Sequence, residues 1–552
     1  MKASLTNKEV ARQFNLLGKL LELHGENPFK TRSYSSAYVN IRKLSVSVVE
    51  QSREELLEIQ GIGKAIADKI IELRETGEIN TLSRYIQNTP PGVVQMLQMK
   101  GFGPKKIRVI WEQMGIETPG ELLYACEENR LIDLKGFGAK TQQNLKEQLE
   151  YFLASQGKYL MGHIEDVAHE LLDLLRQEFA GEGRFDLING IRRLNPVVDG
   201  IELLSDIPEH ELIEYLVSED LVDPDEENLD YRGVNVLLNY CDADQYEQQL
   251  WQGSGSPEFL AHWDKLYGPV SSSDKEVFSQ HGLDYIPAEL REKPDLIDQV
   301  KAGSKIELIT QSDIKGVVHS HSTYSDGTAS VAEMAQASKG LGYEYLVMSD
   351  HSKAAFYANG LNEERVLEQI DEIDKLNGEL TDFRVFKSIE CDILYDGKLD
   401  YDDEFLKNFE LIIASVHSNL KMTEEKAMHR LLTAIAHPAV SILGHPTGRL
   451  LLSREGYPVD HKVLIDACAK HNVAIEINAS PYRLDIDWTW IEYAQSQGVL
   501  LSINPDAHST EGIKDIKYGV YAARKGGLRP ENCLNTMSVQ DFEAWIYTKM
   551  SC

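Results

Sequence analysis

Gly316-Val-Val-His319-Ser-His321 opens a series of short apolar runs in the C-terminal half of the chain, each ending in a polar residue. The others are Tyr345-Leu-Val-Met-Ser-Asp350-His351, Phe386-Lys-Ser-Ile-Glu390, Leu411-Ile-Ile-Ala-Ser-Val-His417, Val440-Ser-Ile-Leu-Gly-His445, Val473-Ala-Ile-Glu-Ile-Asn478 and Val499-Leu-Leu-Ser-Ile-Asn-Pro-Asp506-Ala-His508. Strands buried on both faces read as continuous apolar stretches of this kind. In a barrel of parallel strands, chemistry gathers where the strands end. All the ends but Asn478 carry His, Asp or Glu, so the pattern predicts a metal site at one mouth of a (β/α) barrel.

The rest of the 552-residue chain leaves room for two or three more domains. No apolar stretch is long enough to span a bilayer, and the N-terminus lacks the apolar core of a signal peptide. The six cysteines form no C-x-x-C pair, which fits a reducing cytoplasm. Net charge is −32 but uneven. Residues 1–150 hold 21 Lys and Arg against 19 Asp and Glu, whereas the remainder holds 35 against 69. An acidic body repels DNA at long range, so any grip on nucleic acid belongs to the N-terminal part.

That part repeats one pattern three times. It appears as Leu56-Leu-Glu-Ile-Gln-Gly61-Ile-Gly63-Lys64, Met96-Leu-Gln-Met-Lys-Gly101-Phe-Gly103-Pro-Lys105 and Leu131-Ile-Asp-Leu-Lys-Gly136-Phe-Gly138-Ala-Lys140. Each is an apolar helix end, a Gly-apolar-Gly turn and a new helix. Glycine permits positive φ and close backbone approach, and unpaired N–H groups at the second helix form an anion nest. With a lysine within two residues of each turn, the reading is helix-hairpin-helix binding of DNA phosphate without sequence readout.

The order of segments resembles a bacterial family X DNA polymerase. Thr6-Asn-Lys-Glu-Val-Ala-Arg-Gln-Phe resembles its opening helix, and Asn27-Pro-Phe-Lys30-Thr-Arg32-Ser-Tyr34 its DNA-end-binding loop. The lysine that forms a Schiff base in relatives with lyase activity falls on Lys69. The resemblance places a Gly-Ser-x-Arg-Arg signature and an Asp-x-Asp strand next, whose carboxylates hold Mg²⁺ for nucleotidyl transfer. Here the matching stretches read Asn189-Gly190-Ile191-Arg192-Arg193 and Asp199-Gly200-Ile201-Glu202, and the later strand, Gly233-Val-Asn235-Val-Leu237-Leu-Asn239, has no Asp. Asp199 and Glu202, three apart, point to opposite faces of a strand. The expectation is a palm that is folded but has lost nucleotidyl transfer and holds no Mg²⁺.

From about residue 311 the chain resembles the PHP phosphoesterases, a family with a distorted (β/α)7 barrel. His319-Ser-His321-Ser-Thr-Tyr-Ser-Asp326 matches its first motif, and the others follow in order through Pro505-Asp506-Ala-His508. The resemblance implies three divalent ions, Mn²⁺, Zn²⁺ or Fe²⁺. His319, His321, Glu390 and Asp506 hold one. Glu390, His417 and His445 hold a second, and Asp326, His351 and His508 a third. Asn478, Arg483 and Arg449 are candidates for orienting phosphate, and equally for structural roles.

The division expected is a lyase-like helical domain at 1–85, a fingers-like domain at 86–158, an α+β nucleotidyltransferase-like palm and thumb at 159–303, and the PHP domain at 310–552. The leading function is a cytoplasmic, nucleoid-associated monomer acting on gapped DNA or 3′ ends as a 3′–5′ exonuclease in base-excision repair. The alternatives are an active gap-filling polymerase, a histidinol-phosphatase-type enzyme acting on small molecules, and a non-catalytic scaffold for DNA ends.

Overall fold

In a computed structural model, the described residues are 5–550 apart from 43, 45, 60, 100–101, 133, 135–136, 155–156, 220 and 223–228. The chain falls into two compact units, Met1–Glu127 with Leu131–Phe152, and Glu128–Arg130 with Leu153–Cys552. The first is all helix among its described residues. Thr6 and Ser52 each close a capping box, with Glu9 and Glu55 returning the bond, and so set where helices Asn7–Leu23 and Arg53–Glu58 begin. Helices Lys64–Thr76 and Pro104–Met114 start directly after Gly63 and Gly103, and no side chain caps either.

The second unit begins with a small ribbon, β1 (Tyr159–Leu160) with β3 (Val197–Val198), and a four-stranded sheet. That sheet contains β2 (Phe185–Leu187), β4 (Ile201–Ser205), β5 (Asp230–Tyr231) and β6 (Val234–Tyr240), in the order β2-β4-β6-β5. Helix Met161–Glu178 packs Ile164, Ala168, Leu171 and Leu175 onto it. A separate helical core follows, built on Trp251, Phe259, Trp263 and Phe278.

The barrel strands are β7 (Gly316–Ser320), β8 (Tyr345–Met348), β9 (Arg384–Asp392), β10 (Leu411–Ser415), β11 (Ile442–Leu443), β12 (Ala474–Asn478) and β13 (Leu501–Asn504). All run parallel in sequence order, and a parallel bridge between Ser320 and Ala507 brings the last strand back to the first. Each of the seven runs quoted above supplies one strand, and the parallel, nearly closed barrel is the fold they predict. Val318, Tyr345, Phe386 and Ile413 pack with Leu534, Phe542 and Ile546, so the C-terminal helix Val539–Met550 covers the end where the strands begin. The opposite end is left for chemistry. No described helix is long and apolar enough to cross a membrane.

In the helical core, Arg291 is wholly buried. Its guanidinium donates to both oxygens of Asp274, at 2.5 and 3.1 Å, and to the Ile286 carbonyl at 2.8 Å. Burial pushes the Asp274 carboxyl up, but Arg291 and the Tyr285 hydroxyl outweigh it and hold the group below its usual value. A carboxyl lowered on folding stabilises above its unfolded pKa of about 4, and that contribution fades as pH falls through the lower folded value. Asp274→Ala, which strands Arg291, is expected to cost about 3–5 kcal/mol at neutral pH, read by denaturant unfolding. The difference from wild type should shrink on acidification below about pH 4.

Candidate metal centre

The strand-end residues converge in the second unit. Glu390, at the end of β9, lies at the middle and is about 1% exposed. His351 Nδ1 and His445 Nε2 are 2.9 Å from its carboxylate, His417 Nε2 is 3.1 Å away and His319 Nε2 3.3 Å. Burial pushes the Glu390 carboxyl up, but the surrounding imidazoles, led by His417, hold it well below the usual range.

Three groups of side chains bring their donor atoms within 4.8 Å of one another. They are His319, His321 and Asp506; His321, Asp326, His351 and His508; and His351, Glu390 and His417. His321 and His351 each reach two groups, whereas the family resemblance assigns each to one. His321 Nε2 is 3.0 Å from Asp506, while its Nδ1 is 3.9 Å from Asp326. His445 joins through its contact with Glu390.

His319 and Asp506 both sit in the left-handed region, with φ of 69° and 53°. Non-glycine residues there are uncommon and gather at functional sites. A register shift in β7 between Val317 and Ser320 accompanies the turn at His319.

The donors fit a divalent metal. His319 Nε2, His321 Nδ1, Asp326 Oδ2, Glu390 Oε2 and His508 Nε2 are buried without a hydrogen bond. Buried polar atoms are normally paired, so their convergence calls for a ligand of another kind. The far nitrogens of His319, His417 and His508 are engaged. His319 Nδ1 donates to Glu476 at 2.6 Å, His417 Nδ1 to Asp392, and His508 Nδ1 to the Asp506 carbonyl at 2.9 Å. This is how metal-binding imidazoles are oriented. Cys391, beside Glu390, belongs to none of these groups: it packs in the hydrophobic core, where burial pushes its thiol up to about 12.

Glu476 and Asp392, to which the strand-end reading gave no role, are the partners of the His319 and His417 rings. The signal was the period of two, since Glu476 shares a strand face with Asn478 and Asp392 with Glu390. Asp350 is not in a donor group. It accepts from the Ser322 backbone N–H and hydroxyl and from the Ser325 N–H, and so clamps the turn that carries Asp326.

The candidate phosphate-orienting residues have internal partners. Asn478 Nδ2 donates to Asp506 Oδ2 and Glu476 Oε1, both at 3.0 Å. Arg449 spends its guanidinium on Asp487 and on the carbonyls of Arg483 and Leu484. Arg483 is about 4% exposed.

In the palm sheet, β4 pairs with β6 so that Glu202 lies beside Leu237. Asn189 Nδ2 donates to Glu202 Oε2 at 2.5 Å, and Lys158 to Asp199 at 3.0 Å. Arg193 is held by Glu292. Gly200 has φ of 142°, and a Cβ there would stand 2.5 Å from the Asn235 carbonyl. No side chain fits that position without a backbone shift.

In the first unit, Gly61 has φ of 90°, but Gly63 and Gly103 have φ of −87° and −85°. The expectation of positive φ therefore holds at Gly61 and not at the second glycine of the turn. A Cβ at Gly63, Gly103 or Gly138 would meet nothing within 4 Å. Those glycines leave an open approach to the helix start rather than relieving a clash. Lys64, Lys105 and Lys140 are exposed. Gly101 and Gly136 lie outside the described residues. Lys69 Nζ donates to Thr81 at 2.9 Å and lies 3.9 Å from Glu72.

Glu476→Gln removes the charge that orients His319. It is expected to weaken Mn²⁺ binding about ten- to a hundredfold, measured by calorimetry against wild type.

Residues 5–79 match the helix-hairpin-helix domain family, and residues 93–150 the SAM-like helix-hairpin-helix tandem. Over 98% of its length the chain is 33% identical to the DNA polymerase/3′-5′ exonuclease PolX of Bacillus subtilis, of which the match covers 99%. Probable phosphatases resemble part of the chain. One from Acetivibrio thermocellus is 26% identical over 43% of the chain and 97% of its own length, and one from Vibrio atlanticus 27% over 36% and 79%. Helical DNA-binding hairpins, a palm-like sheet and a barrel mouth built for metals, carried on one chain at this similarity, mean that the protein belongs to the family X DNA polymerases with a C-terminal PHP phosphoesterase domain.

Proposed function

We propose that this chain is a metal-dependent phosphodiesterase that removes nucleotides from DNA 3′ ends, serving base-excision repair in the cytoplasm, and that its palm no longer extends primers. The observation that carries this reading is a contrast within one unit. The barrel mouth gathers buried donor atoms that no hydrogen bond satisfies. The stretches that resemble the family's catalytic strands read Gly200-Ile201-Glu202 and Gly233-Val-Asn235-Val-Leu237-Leu-Asn239, without the expected aspartates, and Glu202 is already bonded to Asn189.

His319, His321, Glu390 and Asp506 hold one ion, Glu390 with His417 and His445 a second, and Asp326, His351 and His508 a third. Bound there, Mn²⁺, Zn²⁺ or Fe²⁺ supplies Lewis acidity and lowers the pKa of coordinated water. The protein's own contribution is orientation. Glu476 and Asp392 fix the rings of His319 and His417, Asn478 fixes Asp506, and Asp350 fixes the turn bearing Asp326. The hairpins grip the DNA backbone through helix starts and the lysines beside them, without reading sequence.

A 5′-labelled primer annealed across a one-nucleotide gap, with Mn²⁺ and with or without dNTPs, tests both halves of the reading. Shortening is expected under both conditions, and His319→Ala/His321→Ala should slow it more than about a hundredfold. Extension by one nucleotide would show that the palm is active. For the hairpins, Lys64→Ala, Lys105→Ala and Lys140→Ala should each weaken DNA binding equally across sequences. Each should also reduce the salt dependence of log K by about 0.7–0.9.

A further inference from the structure

The loop that follows β8 is closed at its base by a bridge between Ser352 and Leu361, and the Leu361 N–H donates to the His351 carbonyl at 2.8 Å. Ala355, Ala358 and Leu361 are buried in it, and the Gly360 N–H donates to the Ala355 carbonyl at 3.1 Å. A Cβ at Gly360 would collide with the Ser352 carbonyl oxygen, so the closed loop requires glycine there. Of its two neighbouring aromatic residues, one turns in and one out. The Tyr357 ring meets His351 with centroids 6.4 Å apart, and its hydroxyl is buried. Phe356 is 83% exposed. A lone exposed apolar side chain is ordinary on a protein surface. Phe356 differs in being fixed on a packed loop, five residues after the candidate metal ligand His351.

The next strand repeats the arrangement. Tyr395 follows Glu390 by five residues, is 61% exposed, and sits in a turn closed by a bridge between Ile393 and Leu399. Arg430, wholly buried, ties that turn to the metal centre. It donates to the carbonyls of Ile393 and Leu394 and to that of Ser418, the residue after His417. Lys426 Nζ lies 3.6 Å from the centre of the Tyr395 ring. Strands β8 and β9 pair in parallel, so the two loops leave the same end of the barrel side by side.

Charge narrows the occupant. Residues 151–552 carry 35 Lys and Arg against 69 Asp and Glu, so this part of the chain repels a phosphate backbone at long range. A strand brought to the barrel mouth is therefore held by contacts other than net charge. Stacking is such a contact: it uses the uncharged π-face that every base presents, whatever the sequence. A protein partner would call for a broad apolar patch, whereas Phe356 and Tyr395 are single rings on separate loops.

We propose that Phe356 stacks against an unpaired base of the strand whose 3′ end occupies the metal centre, and that Tyr395 supports an adjacent base. This rests on the phosphodiesterase reading above. Both are substrate-positioning residues that touch no reacting atom.

The test measures Mn²⁺-dependent shortening of 5′-labelled single-stranded oligonucleotides by the full chain. Phe356→Ala is expected to raise KM about tenfold with kcat little changed, and Phe356→Trp, which keeps a stacking face, to restore it. Substrates with one abasic residue at each of the last three 3′ positions in turn locate the stacked base. At one position wild type should lose the same factor, and there Phe356→Ala should cost nothing further. Tyr395→Ala should behave likewise at a neighbouring position. Binding gives a readout independent of cleavage. In an oligonucleotide with phosphorothioate linkages, 2-aminopurine at the position found for Phe356 should be quenched by wild type and recover its emission with Phe356→Ala. An unchanged KM in Phe356→Ala, no rescue by Phe356→Trp, or an undiminished effect of Phe356→Ala on every abasic substrate would each overturn the assignment. So would a Phe356→Ala variant that changes the sedimentation coefficient but not KM, since the ring would then join two copies of the chain. An unchanged KM in Tyr395→Ala would remove that residue from the platform. If wild type shortens DNA and none of these differences appears, the platform is wrong and the phosphodiesterase reading stands. If wild type with Mn²⁺ shortens no DNA, both fall.

Discussion

A single carboxylate, Glu390, sits almost fully buried among imidazoles, and the barrel mouth is organised around that fact. An isolated charge in such a place is costly unless it is paired. Four histidines on four different strand ends face it, and each must be aimed. His319 and His417, together with His508, are aimed by a second ring of carboxyl and carbonyl groups: Glu476 behind His319, Asp392 behind His417 and the Asp506 carbonyl behind His508. The left-handed backbone at His319 and Asp506 belongs to the same constraint, since both residues must turn inward where a straight strand would carry them past.

The palm shows the opposite condition. Its polar groups answer one another: Asn189 with Glu202, Arg192 with Ser254, Arg193 with Glu292. Glu292 in turn accepts from Lys525, a buried lysine of the barrel, and Arg524 bonds Glu289. These links join the palm and its helical extension to the barrel wall. The charged residues of this sheet thus also tie it to its neighbours.

Much of the barrel was legible because its information is local. A continuous apolar run marks a strand buried on both faces, and the polar residue at its end marks the mouth. In the palm, the strands that carry Glu202 and Leu237 pair side by side, a relation across 35 residues that no local pattern shows. What escaped depends on partners far away in the chain. Nothing near Glu476 shows that it meets His319, 157 residues earlier. Arg449 reads equally as a phosphate ligand or a structural residue, and only the fold shows its bonds to Asp487 and to the carbonyls of Arg483 and Leu484. The hairpin glycines read as positions for positive φ and close approach without showing which does which: Gly61 takes the positive φ, and Gly63, Gly103 and Gly138 leave empty space above the helix start.

The bridge between Ser320 and Ala507 has a consequence for how the molecule comes into being. His319 and His321 leave the ribosome early in the barrel, while Asp506 and His508 are among the last of its residues to emerge. The donor groups that unite them do not exist until the final strand docks against the first. Contacts between the barrel's two ends are of the long sequence separation that slows folding. Until that seam closes, the donor groups that include Asp506 and His508 are incomplete.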